Sequence, residues 1–281
     1  MPPGMSVQHR IAFVGGGNMA RALIRGLVGT ATVDAEQIIA ADPDEAKLRS
    51  LRDELDIRIT GDNAEAVQAA DVVVLATKPQ VFAQLLPGVA AAIGPDALLI
   101  SVAAGIPTRL IERALPDGAR VVRTMPNTPA LVGAGATAIA AGSNATEEDL
   151  ELAEILFRSV GISVRVPEEQ LDAVTGLSGS GPAYVFAMVE ALRDAGLREG
   201  LPEETSLQLA SQTVFGAARL LRDENEPPEV LRQRVTSPGG TTRAGLDALS
   251  AAGFAEAIIG AVRAATRRSA ELGKIGEDAG S

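Results

Sequence analysis

The sequence contains no cysteine and a single histidine, His9. The first absence excludes disulfides, thiolate nucleophiles and cysteine metal sites. The second leaves no histidine cluster for a metal and no base for a Ser-His-Asp triad within one chain, so no metal site is expected. Tryptophan is absent, tyrosine occurs once and aromatics reach only 2%. With 46% hydrophobic residues a sizeable core is still affordable, built from Ala, Val, Leu, Ile and Gly. Small side chains let helices approach closely, so tight helix packing is expected. No apolar run approaches the roughly 18 residues of a membrane span. Residues Met1 to Arg10 lack a long apolar core, so neither a membrane segment nor a secretory signal is expected, and the cytoplasm is the expected setting. Cations are outnumbered, 25 Lys and Arg against 36 Asp and Glu, for a net charge of −11. A field of that sign repels nucleic acid and anionic lipid. An anionic small molecule would need a local cradle of backbone N–H groups or cations.

A chain of 281 residues allows one large domain or two ordinary ones. The first half alternates apolar strand-like runs with helical patterns. Strands are expected at Ile11–Val14, Gln37–Ala41, Val72–Ala76, Ala97–Ala103 and Ala119–Thr124, with further ones at Ala136–Ala141 and Ile162–Val166. Ala20, Leu23, Ile24 and Leu27 share one helical face. Continuous apolar strands separated by helices imply a parallel sheet covered on both sides. Thr146 and Asp149 form a capping-box pattern that opens a helix reaching about Val160. After Pro167 no convincing strand follows. Pro182 suits the first turn of a helix ending near Gly196. Leu207, Ala210, Val214 and Leu221 keep helical spacing, and Phe254–Leu272 is a long helical stretch. The boundary is placed near residue 166.

The segment Gly15-Gly16-Gly17-Asn18-Met19-Ala20 follows the first strand and opens a helix, matching G-x-G-x-x-G/A. Gly15 permits the tight turn, Gly17 admits a pyrophosphate to the backbone, and Ala20 lets the helix pack close to the sheet. The anion then meets free N–H groups and the positive end of a helix dipole. This strand-turn-helix context makes Gly15, Gly17, Asn18 and Met19 a dinucleotide cradle. Asp42, at the end of the second strand, can accept bonds from both ribose hydroxyls of NAD and would repel a 2′-phosphate. It lies somewhat beyond the roughly 20-residue spacing usual for such an acid. Its other reading is the first residue of the turn Asp42-Pro43-Asp44. The expected fold is therefore α/β, an N-terminal Rossmann-type parallel-sheet domain over residues 1–166 followed by an all-α domain over 167–281.

The second half carries more specific segments. Asp172-Ala173-Val174-Thr175-Gly176-Leu177-Ser178-Gly179-Ser180-Gly181-Pro182-Ala183-Tyr184 and Val235-Thr236-Ser237-Pro238-Gly239-Gly240-Thr241-Thr242 resemble signature segments of pyrroline-5-carboxylate reductases. Ala76-Thr77-Lys78-Pro79, Ser101-Val102-Ala103-Ala104-Gly105 and Met125-Pro126-Asn127-Thr128-Pro129 resemble that family's upstream segments in the same order. The resemblance runs from Arg10 to about Leu272. It implies a reductase of 1-pyrroline-5-carboxylate using NADPH or NADH, the last enzyme of proline synthesis. It also implies a helical dimerisation and substrate-binding domain, with two subunits intertwined and dimers often assembled into larger rings. Matching positions place Asn63, Ala76, Thr77, Lys78, Ala104 and Gly105 at the cofactor. They place Glu168, Ser237, Gly239, Gly240, Thr241 and Thr242 around the substrate, with the site shared between the cofactor domain of one subunit and the Ser-Pro-Gly-Gly loop of its partner. Asp42 stands where some relatives carry a Ser that receives the 2′-phosphate, which leans this chain toward NADH.

The loop can also be read from its own residues. Paired glycines allow successive N–H groups to converge on an anion such as a carboxylate, and Thr241 or Thr242 can cap the following helix or face a ligand. Reducing a protonated imine needs little acid–base power beyond positioning against the nicotinamide, which suits a chain with one His and no Cys. Thr242 is assigned the hydrogen bond to the ring nitrogen; Ser237 and the 239–241 backbone are assigned the carboxylate. Ser178-Gly179-Ser180-Gly181 is read as a packing and capping element of the Pro182 helix rather than a nucleophile elbow, and Tyr184 as core. Lys78, at the end of its strand, is read as a cofactor contact. Two alternatives stand beside the reductase. One is a β-hydroxyacid dehydrogenase, disfavoured because Lys274 is the only lysine of the second half. The other is a dinucleotide-binding protein without chemistry.

Overall fold

A computed structural model describes residues 7–278. The leader residues 1–6 and the side chain of Lys274 fall outside the described set. The chain divides into two compact units, Met1–Gly179 with Ala264–Ser281, and Ser180–Arg263.

The first unit is built on β1 (Ile11–Val14), β2 (Ile38–Ala41), β3 (Arg58–Thr60), β4 (Val72–Leu75), β5 (Leu98–Ser101), β6 (Arg120–Met125), β7 (Gly135–Ala141) and β8 (Gly161–Arg165). They form one sheet in the order β3-β2-β1-β4-β5-β6-β7-β8. Six strands run parallel; β7 pairs antiparallel to β6, and β8 parallel to β7. The strand order reverses direction at β1/β4, and crevices at such points bind ligands outside the strand C-termini.

Both faces of the sheet are apolar, as continuous hydrophobic strands require. Ile11 and Phe13 of β1, Val72 and Val74 of β4, and Leu98 and Ile100 of β5 enter one core. Ala12, Val14, Val73, Leu75 and Leu99 enter the other. The first is closed by α1 (Asn18–Gly29), α2 (Glu45–Leu55) and α6 (Glu147–Arg158). The second is closed by α3 (Asn63–Gln68), α4 (Phe82–Ala92) and α5 (Thr108–Ala114). The expected face of α1 is the buried one: Ala20, Leu23, Ile24 and Leu27 are all sealed from solvent. The capping box of α6 forms as read, with Thr146 Oγ1 accepting from the Asp149 N–H and Asp149 Oδ2 accepting from the Thr146 N–H. β3 was not expected. It has three residues at the sheet edge and no fully buried position, so no apolar run announces it. A short helix, α7 (Leu171–Val174), follows β8 and runs into a π-helical turn over Thr175–Gly179.

The second unit contains α8 (Gly181–Arg198), α9 (Glu203–Glu224), α10 (Pro228–Arg234), α11 (Thr241–Ala251) and the first turns of α12 (Phe254–Asp278). Pro182 lies in the first turn of α8, where its missing N–H costs nothing. Helices α8 and α9 approach closely: a Cβ on Gly196 would stand 2.6 Å from Ser206 Oγ. This is the tight packing that the scarcity of aromatics calls for. Only Ser206 and Ala210 are buried among residues 180–263. Large apolar side chains, including Phe186 at 63% and Phe215 at 59%, stay open to solvent. A helical unit with so little interior of its own requires a covering partner. No single helix among the described residues is long and apolar enough to cross a membrane; only α11 and α12 taken together, as a bent pair, reach that composition.

Candidate active site

The glycine turn sits at the reversal point and is pinned to three strands. Gly15 N–H donates to Ala41 O at 2.7 Å, and Ala76 N–H to Val14 O at 2.8 Å. Gly15 holds φ +103°, and a Cβ there would lie 2.7 Å from Ala76 O, so conformation and space both require glycine. Gly17 differs. It is the N-cap of α1 in extended geometry with no side-chain cap, and a Cβ on it meets nothing within 4 Å. Beyond it the N–H groups of Asn18, Met19 and Ala20 open the helix without intrahelical acceptors. Asn18 is exposed and Met19 packs against the core.

Asp42, 8% exposed, is committed on both oxygens. Oδ2 accepts the Gly16 N–H at 2.8 Å and Oδ1 the Asp44 N–H at 2.9 Å, with Lys47 Nζ 3.6 Å away. The turn reading of Asp42 is thus realised, and the same carboxylate braces the glycine turn from behind. Across the crevice Thr77 Oγ1 is buried without a hydrogen-bond partner. Its methyl group lies against Gly15. A buried hydroxyl without a partner, beside an open space in front of a helix N-terminus, suits a polar, anionic ligand. The residues present therefore fit a dinucleotide. Lys78 is exposed next to Thr77, and Ala76 and Asn63 are half-buried. Asn63 opens α3 behind the cap made by Asp62. Ala104 is half-buried, whereas Gly105 is buried at φ +76°.

Glu168 lies beside the first unit's sheet with both carboxylate oxygens in use. Thr108 donates its N–H to Oε1 at 2.7 Å and its hydroxyl to Oε2 at 2.6 Å, and Arg123 donates to Oε1 at 3.0 Å. Burial pushes the carboxyl up, but the bonds from Thr108 and Arg123 outweigh it and hold the pKa below its ordinary 4.5. Sequence reading missed Arg123 and Thr108. The available signal was an Arg inside the apolar run of β6, where only a paired cation tolerates its 7% exposure. A depressed carboxyl contributes stability that is complete above the unfolded pKa and is lost as pH falls through the folded value. Glu168→Gln should therefore cost about 2 kcal/mol at pH 7. In urea titrations the gap to wild type should close as the pH falls through the lowered pKa of Glu168; a gap independent of pH would show that the charge contributes nothing.

The second group lies in the helical unit. Gly239 adopts φ +69°, and Gly240 N–H returns to Ser237 O at 3.1 Å. A Cβ on Gly240 would collide with Ser237 Oγ. Gly240 is the N-cap of α11 and no side chain caps it. The capping role considered for Thr241 or Thr242 is therefore not taken, because both already lie inside the helix. Their N–H groups, with that of Arg243, open the helix unpaired, and the loop is exposed. Ser180 likewise sits at the N-cap of α8 without a side-chain cap, so the Ser178–Gly181 segment packs but does not cap. Its packing is close: a Cβ on Gly179 would press on Met125 Cε, and Asn127 Nδ2 donates to Ser178 O at 3.0 Å. Tyr184, read as core, is half-buried with its hydroxyl 3.5 Å from Ala261 O. Among the described residues no cluster of His, Cys, Asp or Glu could hold a metal.

A glycine turn opening a helix at the reversal point of a mostly parallel sheet, in a chain whose helical unit also opens a helix from a glycine loop, fits the class of nicotinamide-dependent oxidoreductases. The model of the pyrroline-5-carboxylate reductase dimerisation family matches residues 168–272, and that of the coenzyme F420-dependent NADP oxidoreductases matches residues 10–105. A pyrroline-5-carboxylate reductase of Synechocystis is 46% identical over 96% of this chain and 100% of its own length. One from Pseudomonas aeruginosa is 45% identical over 94% and 96%. The solved structure of a Coxiella burnetii pyrroline-5-carboxylate reductase matches with TM-score 0.90 at 39% identity, covering 95% of this chain and 99% of that one. That of a Plasmodium falciparum pyrroline carboxylate reductase with NADP bound matches at 0.84 and 30%, covering 96% and 100%. The chain belongs to the pyrroline-5-carboxylate reductase family.

Proposed function

We propose that this chain reduces the C=N bond of 1-pyrroline-5-carboxylate to give L-proline, each site being shared by two copies of the chain. The observation that carries the reading is the pair of cradles, one fitted to a pyrophosphate at Gly17 and one fitted to a carboxylate at Gly239–Thr241. When bound, the nicotinamide supplies the hydride. Around it, Gly15, Gly17, Asn18 and Met19 hold the pyrophosphate, and Asn63, Ala76, Thr77, Lys78, Ala104 and Gly105 line the remainder. Ser237 and the N–H groups of 239–241 hold the substrate carboxylate. Thr242 hydrogen-bonds the ring nitrogen and orients the imine carbon. Glu168 borders the substrate through the clasp it makes with Thr108 and Arg123. The family's dimerisation model begins at residue 168. That match supports a functional boundary near 166, with residues 167–281 serving dimerisation and substrate binding. The exposed apolar side chains of α8 and α9 are the surface a second copy would cover. A ring of such dimers and a cytoplasmic location complete the proposal.

The Asp42 carboxylate places negative charge beside the turn and disfavours a 2′-phosphate. NADH is therefore expected to reach a kcat/KM within about tenfold of that with NADPH, a margin of about 1.4 kcal/mol. The deciding assay follows the loss of reduced-cofactor absorbance with 1-pyrroline-5-carboxylate, and its gain with a β-hydroxyacid and oxidised cofactor. Turnover of the imine alone is expected. Oxidation of the hydroxyacid alone would establish a dehydrogenase, and cofactor binding without turnover of either would establish a binding protein. A strong preference for NADPH would remove Asp42 from cofactor choice and leave it only as the brace of Gly16.

A further inference from the structure

The loop 102–107 leaves β5 and enters α5. Ala103 and Ile106 anchor its inner side in the sheet core. Its outer side is covered by the last turns of α12, which belong to the same compact unit. The contact is backbone against backbone. A Cβ built on Gly105 would find Ser269 O, Leu272 Cβ and Gly273 N each at 3.5 Å. A Cβ built on Gly273 would lie 2.9 Å from Gly105 O, too close for either backbone to stay in place. The two glycines thus face each other, Gly273 with no room for a side chain and Gly105 with room for a Cβ but at φ +76°. A polar bond ties the helix down at this height: Ser269, 4% exposed, donates its hydroxyl to Asp172 Oδ1 on α7 at 2.6 Å.

We propose that Ser269 and Gly273 are positioning residues for the cofactor, setting through Gly105 where the 104–105 backbone stands against the dinucleotide. This rests on the reading that Ala104 and Gly105 line the cofactor. Neither α12 residue is assigned a contact with substrate or cofactor. Their effect should therefore appear in one kinetic constant and not in the others. A side chain at 273 drives Gly105 and the helix apart; loss of the Ser269 hydroxyl frees the helix to shift. Displacements of about 1 Å away from the chemistry can cost about 100-fold.

The test is steady-state kinetics on the full-length enzyme with 1-pyrroline-5-carboxylate, NADH and NADPH. Gly273→Val is expected to raise the KM for either cofactor about tenfold. Gly273→Ala and Ser269→Ala should raise it about threefold, supplying smaller steps should the valine variant fold poorly. The KM for 1-pyrroline-5-carboxylate and kcat at saturating cofactor should stay within about twofold of wild type. Asp172→Asn, which keeps an acceptor for Ser269, should behave as wild type. Equal rises in both KM values, a fall in kcat alone, or unchanged cofactor KM would overturn the proposal. Gly17→Val separates the levels. If it loses cofactor binding while the α12 variants bind normally, only the positioning role fails. If it binds cofactor normally, the cofactor reading fails and this proposal with it.

Discussion

Gly17→Val is expected to weaken binding of NADH and NADPH by at least about 100-fold, or about 2.7 kcal/mol, while the protein melts within a few degrees of wild type. The two halves of that expectation have separate grounds. Gly17 stands at φ −74° and ψ −175°, a conformation any residue adopts, and nothing in the chain lies within 4 Å of an added Cβ. The fold has no reason to resist. The added isopropyl group fills the space in front of the unpaired N–H groups of α1, where a phosphate must come within hydrogen-bonding distance. Gly15 supplies the contrast. At φ +103°, with Ala76 O only 2.7 Å from its would-be Cβ, Gly15→Val should unfold or displace the turn and lower the melting temperature markedly. Calorimetric titration with each cofactor and a thermal melt distinguish the two variants. Unchanged affinity in Gly17→Val would remove this turn from the cofactor site.

The sheet was legible because its strands are buried on both faces. Ile11–Val14, Val72–Leu75 and Leu98–Ser101 read as unbroken apolar runs, and only a doubly covered parallel sheet hides such runs. β3 escaped because an edge strand of three residues carries no such run. The antiparallel direction of β7 escaped because residue pattern records which face is buried and not which way a strand runs. The glycine turn was legible since glycine spacing reports local backbone geometry directly. Asp42 was only half legible: its place at the strand end was read correctly, but its bond to Gly16 joins residues of different elements and leaves no periodic trace. The clasp of Glu168 on Thr108 and Arg123 is of the same kind, drawn from three elements far apart in sequence. Contacts of Gly105 with Gly273 are likewise invisible in sequence, where each glycine stands alone. The Ser237–Thr242 loop was singled out through its resemblance to a family. Its residues alone favoured a plain capped turn, and the structure shows why side-chain capping fails, since Gly240 takes the N-cap and both threonines fall inside α11.

Mixed dimers of two inactive variants should recover activity. Suppose the cofactor turn of one subunit and the Ser237–Thr242 loop of the other complete each site. Gly17→Val then disables a site through its cofactor half, and Thr242→Ala disables one through its substrate half, by removing the hydroxyl assigned to the ring nitrogen. Each variant alone forms a homodimer in which both sites carry a lesion, and each should lose at least about 100-fold in kcat/KM. In the heterodimer the lesions segregate: one site receives both, the other receives neither. Purified through two different affinity tags, the heterodimer should show up to about half the wild-type activity per dimer, provided the sites act independently. Both substitutions suit the experiment physically. Gly17 accepts a side chain without backbone strain, and Thr242 is exposed on the first turn of α11, where alanine is a good helix former. The apolar side chains left open on α8 and α9 provide the surface by which the copies would associate, so neither lesion should disturb dimerisation. If each site were instead built within one chain, both sites of the heterodimer would carry one lesion, and activity would remain at the level of the parent variants. Persistent inactivity in a folded, verified heterodimer would refute the shared site, while the hydride chemistry and the family membership would stand.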